Sequence, residues 1–550
     1  MKSIIKIIFL SPAFWIIVVS IVAGIGYMMP GMPVIDDGQD HVARIANFYQ
    51  SLSEGNPIPR WAGNLNWGYG HPILMFLYPL PSYIASLFHF IGFSFVDSTK
   101  IVFIVAFIAS TLAMYFWMRS AFGTIPGILG AFLYGFAPYR FVDMYIRGAI
   151  GEHVAFIFPP LICFFLFKIA QEGNKSFYGI GLSVVSAGLI LAHNAVSIMF
   201  FPIIAFYVLY LFVFESKRSL SFIFSVFCYL ALGFGLSAFF WVPAYLEGKY
   251  TLRDIVTKKE ALERFVPLTK FIFSPWVYGQ GNETTKFIGA TQWVGIIGSI
   301  FLISRVKKFK EKISIMSLLI MFILYIFMMT SLSSIVWEKI MILQKFQFPW
   351  RFQCATVFIN AVLASLVLTK FITVQKKGRQ ISLLVLLCVL SVVVTAGMWR
   401  PGRGYTFHHD SYYSGVYAGT TDTGESSPIW SVRFMEHTAS RPIQVIEGQA
   451  EIQEAGRTST EHRYAVTAKT PSRLVENTLF FPGWRIYVDG VQAGLQYQDP
   501  SYRGLMTFRI DEGNHEVLVK FTNTKVRLYA EYISIISIII CVAMLLWRKK

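Results

Sequence analysis

Long apolar runs alternate with short basic loops along most of the chain, and one polar stretch interrupts them near the C-terminus. The first run, Ile4 to Met29, is flanked by Lys2 and Lys6. Later runs cover Ile101–Met118, Ile125–Pro138, Val154–Ala170, Phe177–Ala192, Val196–Phe214 and Phe222–Tyr245. The series continues with Trp293–Ser304, Ile313–Ser331, Phe352–Thr373, Ile381–Met398 and Glu531–Trp547. Some 20 apolar residues cross a bilayer as a helix, so the pattern predicts a polytopic α-helical membrane protein of about 12 spans. Arg119, the Glu172–Lys175 loop, Lys217-Arg218, the 305–312 cluster, Lys376-Lys377-Arg379 and the tail Arg548-Lys549-Lys550 then share one side. An excess of Lys and Arg marks cytoplasmic loops, which puts both termini in the cytoplasm.

The run Pro72 to Phe95 is the exception. It carries Pro79, Pro81 and His89, and no basic loop follows it. Counting it as a span would invert every later loop, so it is expected to be a juxtamembrane or re-entrant helix inside one long outer loop, residues 30–99. The polar stretch alternates with period two over Leu479–Gly490, Met506–Ile510 and His515–Phe521, with turns at Asp489-Gly490 and Glu512-Gly513. That pattern predicts an antiparallel β-sandwich. The domains expected are thus a membrane domain over 1–398, an extracytoplasmic β-rich domain over 399–527, and a last membrane helix with its basic tail over 528–550.

Mean hydropathy of +0.54 with 14% charged residues excludes a soluble globule. The net charge of +17 does not indicate nucleic acid, because the basic residues sit in the short loops between apolar runs. All five cysteines fall within apolar runs, so no disulfide framework is expected. The first run is too long for a signal-peptide core and is expected to stay as an anchor. No Walker loop, GxSxG, HExxH or CxxC is present, which argues against ATPase, serine hydrolase, zincin and redox chemistry.

Charge then picks out one face. Asp36-Asp37-Gly-Gln-Asp40-His41-Val-Ala-Arg44 follows the first span and emerges outside. If helical from Asp37, it sets Asp37 with His41, and Asp40 with Arg44, at i,i+4. Intramembrane-edge charge is costly and marks a functional site unless it is a solvated loop cap. A second outer loop carries Arg140, Asp143, Arg147, Glu152 and His153, a third presents His193-Asn194, and a fourth is Lys345-Phe-Gln-Phe-Pro-Trp-Arg351. Arg351 with Trp350 reads equally as an interfacial anchor, and His193-Asn194 as a polar helix end. His408-His409-Asp410 has the look of a metal triplet but lies in a Gly/Tyr-rich loop, where it is expected at the surface. Carboxylates with histidine can act as a general base or hold a hard divalent cation. Guanidinium forks suit phosphate. Together with interfacial aromatics these groups fit a lipid-phosphate-sugar donor.

The acidic first-loop motif, the many spans and the C-terminal domain resemble the GT-C superfamily of polyprenyl-phosphate-dependent glycosyltransferases. Asp37-x-x-x-His41 with Arg44 is similar to the first-loop Asp-x-x-x-His-x-Arg pattern of some oligosaccharyltransferase catalytic subunits, with the arginine one residue later. Gly151-Glu152-His153 stands where that family carries a second acidic motif. Closer still is the resemblance to bacterial membrane proteins labelled as related to 6-pyruvoyl-tetrahydropterin synthase, and to YfhO-like proteins. It rests on Asp37…His41…Arg44, Pro59-Arg60-Trp61, Gly68-Tyr-Gly-His-Pro72, Arg147-Gly148…Gly151-Glu152, Phe348-Pro-Trp-Arg351 and Phe481-Pro-Gly-Trp484, and covers most of the chain. It implies no pterin chemistry.

What the resemblance implies is Asp37 as general base or metal ligand and Glu152 as a second catalytic acidic group. Arg147 and Arg351 would contact phosphate. The charged and polar clusters themselves offer Asp36, Asp40, His41, Arg44, His153, His193 and Asn194 as the further substrate contacts. A divalent cation, Mg or Mn, would sit on Asp37 and Glu152. The absence of a WWD motif argues against transfer to asparagine. The expectation is therefore an inverting glycosyltransferase of the bacterial inner membrane. It would move a sugar from a polyprenyl-phosphate carrier to a glycan, lipid or protein acceptor on the outer face. A transporter or flippase for lipid-linked glycans, or a non-catalytic assembly factor, is the alternative. Ionisable residues are almost absent from the spans, which counts against a transport path.

Overall fold

The computed structural model describes residues 11–173, 175–257, 260–278 and 284–546. Lys2, Lys6, the start of the first apolar run, Asn174, Trp547 and the basic tail lie outside the described residues. Each of the apolar runs is helical. Among the described residues seven helices are long and apolar enough to cross a membrane, or eight if the bent pair Leu220–Leu236 and Ala238–Leu246, meeting at 71°, is one span. The remaining expected spans are the shorter helices Pro12–Ala23, Thr124–Gly135, Ser176–Ala192 and Ala290–Arg305. Two of these stop for visible local reasons. Pro138 opens the next short helix after Thr124–Gly135, and His193 turns extended, with φ −167°, after Ser176–Ala192.

The Pro72–Phe95 run contains no crossing helix. It breaks into Ile73–Phe76 and the 11-residue Leu80–Phe90, which at 1.5 Å per residue reaches only about 16 Å. Pro79 and Pro81 start the second helix, where a missing N–H costs nothing. It lies against the first-loop helix Gly38–Ser53, with Phe48 edge-on to Tyr83 at 4.7 Å and Tyr49 edge-on to His89 at 4.5 Å. Leu87, Phe90, Ile91 and Phe93 form an exposed apolar tip at its end.

The sandwich begins at Ile443. A five-stranded antiparallel sheet runs Ala450–Arg457, Glu461–Ala468, Gly513–Phe521, Trp484–Val488, Val491–Gln492. A three-stranded sheet of Ile443–Glu447, Ser472–Leu479 and Leu505–Ile510 faces it. Alternate inward residues such as Tyr464, Val466, Ile486, Val517 and Val519 make the core, and Trp484 is buried in it.

Residues 399–442 are not part of that sandwich. They run back over the first loop: Tyr405–Thr406 pairs with Met32–Pro33, and the Asp410 carboxylate accepts from the Phe95 N–H at 3.1 Å. Two buried ion pairs pin the last helix, Lys525–Leu546, to the rest. Arg527 meets Glu247 at 2.8 Å, and Arg60 of the first loop meets Glu531 at 2.8 Å. First loop, strap and sandwich therefore stand on one end of the helical bundle.

Candidate functional site

Asp37 is the N-cap of the first-loop helix, but its side chain does not cap. Backbone pairing decides this. The N–H groups of Asp36 and Asp37 donate to the carbonyls of Ile146 and Arg147, both at 2.9 Å, so the first loop is sewn to the segment that carries Arg147. His41, one turn on, donates from Nε2 to the Gly148 carbonyl at 2.5 Å and accepts from Arg44 at Nδ1, at 3.1 Å. An arginine only donates, so the ring is held as the neutral Nε2–H tautomer. Burial and the Arg44 charge push its pKa down to about 3. Arg44 also holds the Thr421 hydroxyl at 3.3 Å and the Thr421 carbonyl.

Gly148 closes a single π-helical turn, Asp143–Arg147, and takes φ +71°. Such turns recur at functional sites. This one aims Arg147 between two carboxylates, Asp143 at 2.6 Å and Glu152 at 3.0 Å, with Trp350 stacked over the guanidinium at 4.6 Å. Glu152 accepts from the Tyr139 hydroxyl as well, and Arg351 approaches its other side at 3.3 Å. Burial and the nearby Glu152 charge raise the Asp143 carboxyl well above the ordinary range, against the pull of Arg147 and Arg140.

These elements enclose a cleft of about 240 Å³. Asp36, Asp37, His41, Arg44, Arg147, His193, Asn194 and Arg351 all line it. Asp37 lies deep among protein atoms, yet its side chain is exposed to the cleft. The two observations describe one position, a carboxylate at the bottom of a solvent-filled hollow. Among the described residues no donor takes up its oxygens. Burial, opposed by Arg147 and Arg44, pushes it up to about 6. Asp36 is instead paired with Arg403 at 2.5 Å. His193 caps the helix Asn194–Phe214 through Nδ1 and also stacks on Tyr78 at 4.8 Å, so it is both a helix end and part of the wall.

Three expected residues are placed elsewhere. Asp40 does not line the cleft and accepts from the Tyr417 hydroxyl at 2.9 Å. His153 is fully buried, with Nε2 on the Phe103 carbonyl at 3.0 Å and its ring against Phe107. Glu152 is fully buried beneath the cleft floor, where its oxygens are taken up by Tyr139 and Arg147. It touches the arginines of the cleft wall and does not itself line the cleft. The same pairing answers the expected cation on Asp37 and Glu152. Glu152 has two guanidinium neighbours, and among the described residues no group of three or more His, Cys, Asp or Glu is arranged to hold a metal. These residues do not fit the cation. His408 stacks on Tyr412 at 4.1 Å, away from any ligand set.

Residues that the sequence reading passed over complete the wall: Tyr78, Arg253, Gln347, Thr421, Asp422 and Glu425. Tyr78 had one trace, Gly151. A Cβ there would come within 2.1 Å of the Tyr78 ring, so glycine is what lets the ring lie over the second loop. The strap residues 421–425 left no local trace, since their neighbours are remote in sequence. Lys286 stacks on the other face of Trp350 at 4.1 Å, and burial with the Arg147 charge lowers it to about 6.

Comparison with known proteins adds a family. The family model described as the 6-pyruvoyl-tetrahydropterin synthase related domain, a membrane protein, matches residues 74–401. A protein of Lactococcus lactis subsp. cremoris (strain MG1363), described as uncharacterized, is 25% identical over 241 residues, which is 42% of this chain and 39% of that one. Two structures of the arabinofuranosyltransferase AftD from Mycobacteria align at TM-scores of 0.45 and 0.43, with 13% and 12% identity. Each alignment covers 70% of this chain, and 28% and 27% of AftD. The chain thus spans well under two thirds of the length of the relatives it matches.

Proposed function

We propose, from the premise that this chain belongs to the 6-pyruvoyl-tetrahydropterin synthase related family of membrane proteins, that it is a glycosyltransferase. It would use a polyprenyl-phosphate-linked sugar at the outer face of a bacterial inner membrane. The observation that carries this reading is one cleft holding an unpaired carboxylate, Asp37, beside the guanidinium groups of Arg147 and Arg351. A base and an anion site facing one another are what glycosyl transfer from a phosphate ester requires.

In this reading Asp37 accepts the proton of an acceptor hydroxyl, on a glycan, lipid or protein. The hydroxyl oxygen attacks the anomeric carbon as the bond from that carbon to the phosphate oxygen breaks, inverting the centre. The electron pair leaves with polyprenyl phosphate, whose charge is met by Arg147 and Arg351. Arg351 is held through the Phe346 carbonyl at 3.0 Å, and Glu152 keeps both guanidinium groups in register. His41 stays neutral and holds Arg44 against the strap.

The test is transfer from a synthetic polyprenyl-phosphate sugar by the purified chain, with Asp37→Asn as control. Product formation that the substitution abolishes supports the reading. Movement of the lipid across proteoliposomes with its glycosidic bond intact would instead assign a flippase, and wild-type turnover by Asp37→Asn would remove Asp37 from the mechanism.

A further inference from the structure

A second and larger hollow, of about 340 Å³, lies between the first loop and the sandwich. Trp61 and Trp67 from the first loop, Asn64, and Thr438, Asn477 and Thr478 from the other side line it. Its making is unusual. Asn66 and Trp67 both take left-handed backbone, φ 55° and 61°, followed by Gly68 at 82°. A bulky residue there is strained, and such strain persists where the surroundings over-determine it, as at ligand clamps. Here the Asn66 and Trp67 N–H groups are held by the Gly419 and Tyr417 carbonyls at 2.9 and 3.0 Å, and the Asn66 amide oxygen accepts from Met435 N–H at 2.9 Å. The result is a half-buried indole in the wall of the hollow.

The polar groups describe the occupant. The ionisable groups in the wall are already paired: Arg457 binds Glu454, Glu476 and Tyr464, and His462 binds Glu476. The Asn64 amide nitrogen donates to Gln50 and Ser414, and that of Asn477 donates to the Arg441 carbonyl. Among the described residues neither amide oxygen has a donor. A wall with indole, accepting amide oxygens, hydroxyls and no free charge repels phosphate and is too polar for an acyl chain. It suits hydroxyl donors carried on an apolar ring face, which is the chemistry of a sugar.

We propose that this hollow is a saccharide-binding groove that holds the non-reacting end of a glycan acceptor, a role that rests on the glycosyltransferase reading. The binding itself does not. Two elements join groove and cleft. The first-loop helix carries His41 to the cleft and Gln50 to the groove, nine residues apart, or roughly 14 Å at 1.5 Å per residue. The strap contributes Val416 to the groove and Thr421 to Glu425 to the cleft. A chain of a few sugar units spans that interval.

The experiment titrates the purified full chain in detergent with cellohexaose, maltohexaose, chitohexaose and mannohexaose, read by tryptophan fluorescence and calorimetry. At least one is expected to bind, and Trp67→Ala to weaken it by about tenfold or more. Thr438→Trp, at an exposed position that fills the hollow without touching the core, is expected to do the same. Asp37→Asn should bind as the wild type does while losing transfer. Binding by none of the four sugars, or equal binding by both groove variants, overturns the groove. Groove-dependent binding with no transfer from any donor would leave the groove standing and defeat only the catalytic reading.

Discussion

Arg44 donates to Nδ1 of His41, and His41 in turn donates to the Gly148 carbonyl, so one imidazole ties the first-loop helix to the π turn. Removing it leaves a buried guanidinium N–H and a carbonyl without partners, at about 1–3 kcal/mol. His41→Ala should lower thermal stability accordingly. Its ring titrates near 6.5 when unfolded and at about 3 when folded. The unfolded chain therefore binds the extra proton in that interval, and stability present above pH 6.5 is lost as pH falls toward 3. His41→Gln should show a flatter acid limb in melting curves from pH 7 to 4.

Asp37 carries the opposite sign. Its carboxyl is raised to about 6 against 3.8 unfolded, so the folded chain binds the proton more tightly. The ionised form is a liability that is absent below pH 3.8 and complete above pH 6. Asp37→Asn should melt higher than the wild type at pH 8, with the gap closing toward pH 4. As the base it must be ionised, so kcat/KM should fall as pH drops through about 6. Transfer by the variant should fall by about 100- to 10,000-fold.

Glu152 separates positioning from chemistry. Its carboxylate serves Arg147, Arg351 and Tyr139 without reaching the cleft. Glu152→Gln leaves two buried guanidinium groups facing each other, and breaking a buried pair costs about 3–5 kcal/mol. Melting and detergent-stability measurements should show that loss, and the pH profile of any remaining activity should keep the inflection assigned to Asp37.

Arg351 should act on the donor. Arg351→Lys keeps a charge but loses the fork that matches phosphate oxygens. Initial-rate kinetics are expected to show a raised KM for the polyprenyl-phosphate sugar, with a smaller effect on KM for the acceptor.

Gly148→Ala tests the π turn. At φ +71° a side chain costs about 1–2 kcal/mol, and its Cβ would meet the Ile35 side chain at 2.7 Å. Reduced stability with weakened donor binding is expected, because Arg147 leaves its register. Ile35→Ala, which removes both of the atoms within 3.0 Å, should recover the steric part alone.

Periodicity settles what depends on neighbours close in sequence. Apolar runs such as Phe352–Thr373 become helices whatever surrounds them, because backbone polar groups in lipid must pair within their own segment. Alternation over His515–Phe521 yields a strand for the same local reason. The grouping of Asp37, His41, Arg147 and Arg351 on one face followed from charge, since ionised groups gather where the spans end. Tertiary structure decided the rest. Asp40 stands one residue before the cleft residue His41 yet pairs with Tyr417, and His153 turns to the Phe103 carbonyl, because each residue of a helix is turned by about 100° from the one before it. Glu152 became a support because Arg147 reached it through a π turn that no spacing announces. The strap from Val416 to Glu425 is held at the groove by backbone hydrogen bonds, which carry no side-chain signature, and at the cleft by Arg44 and Gln347, partners remote in sequence.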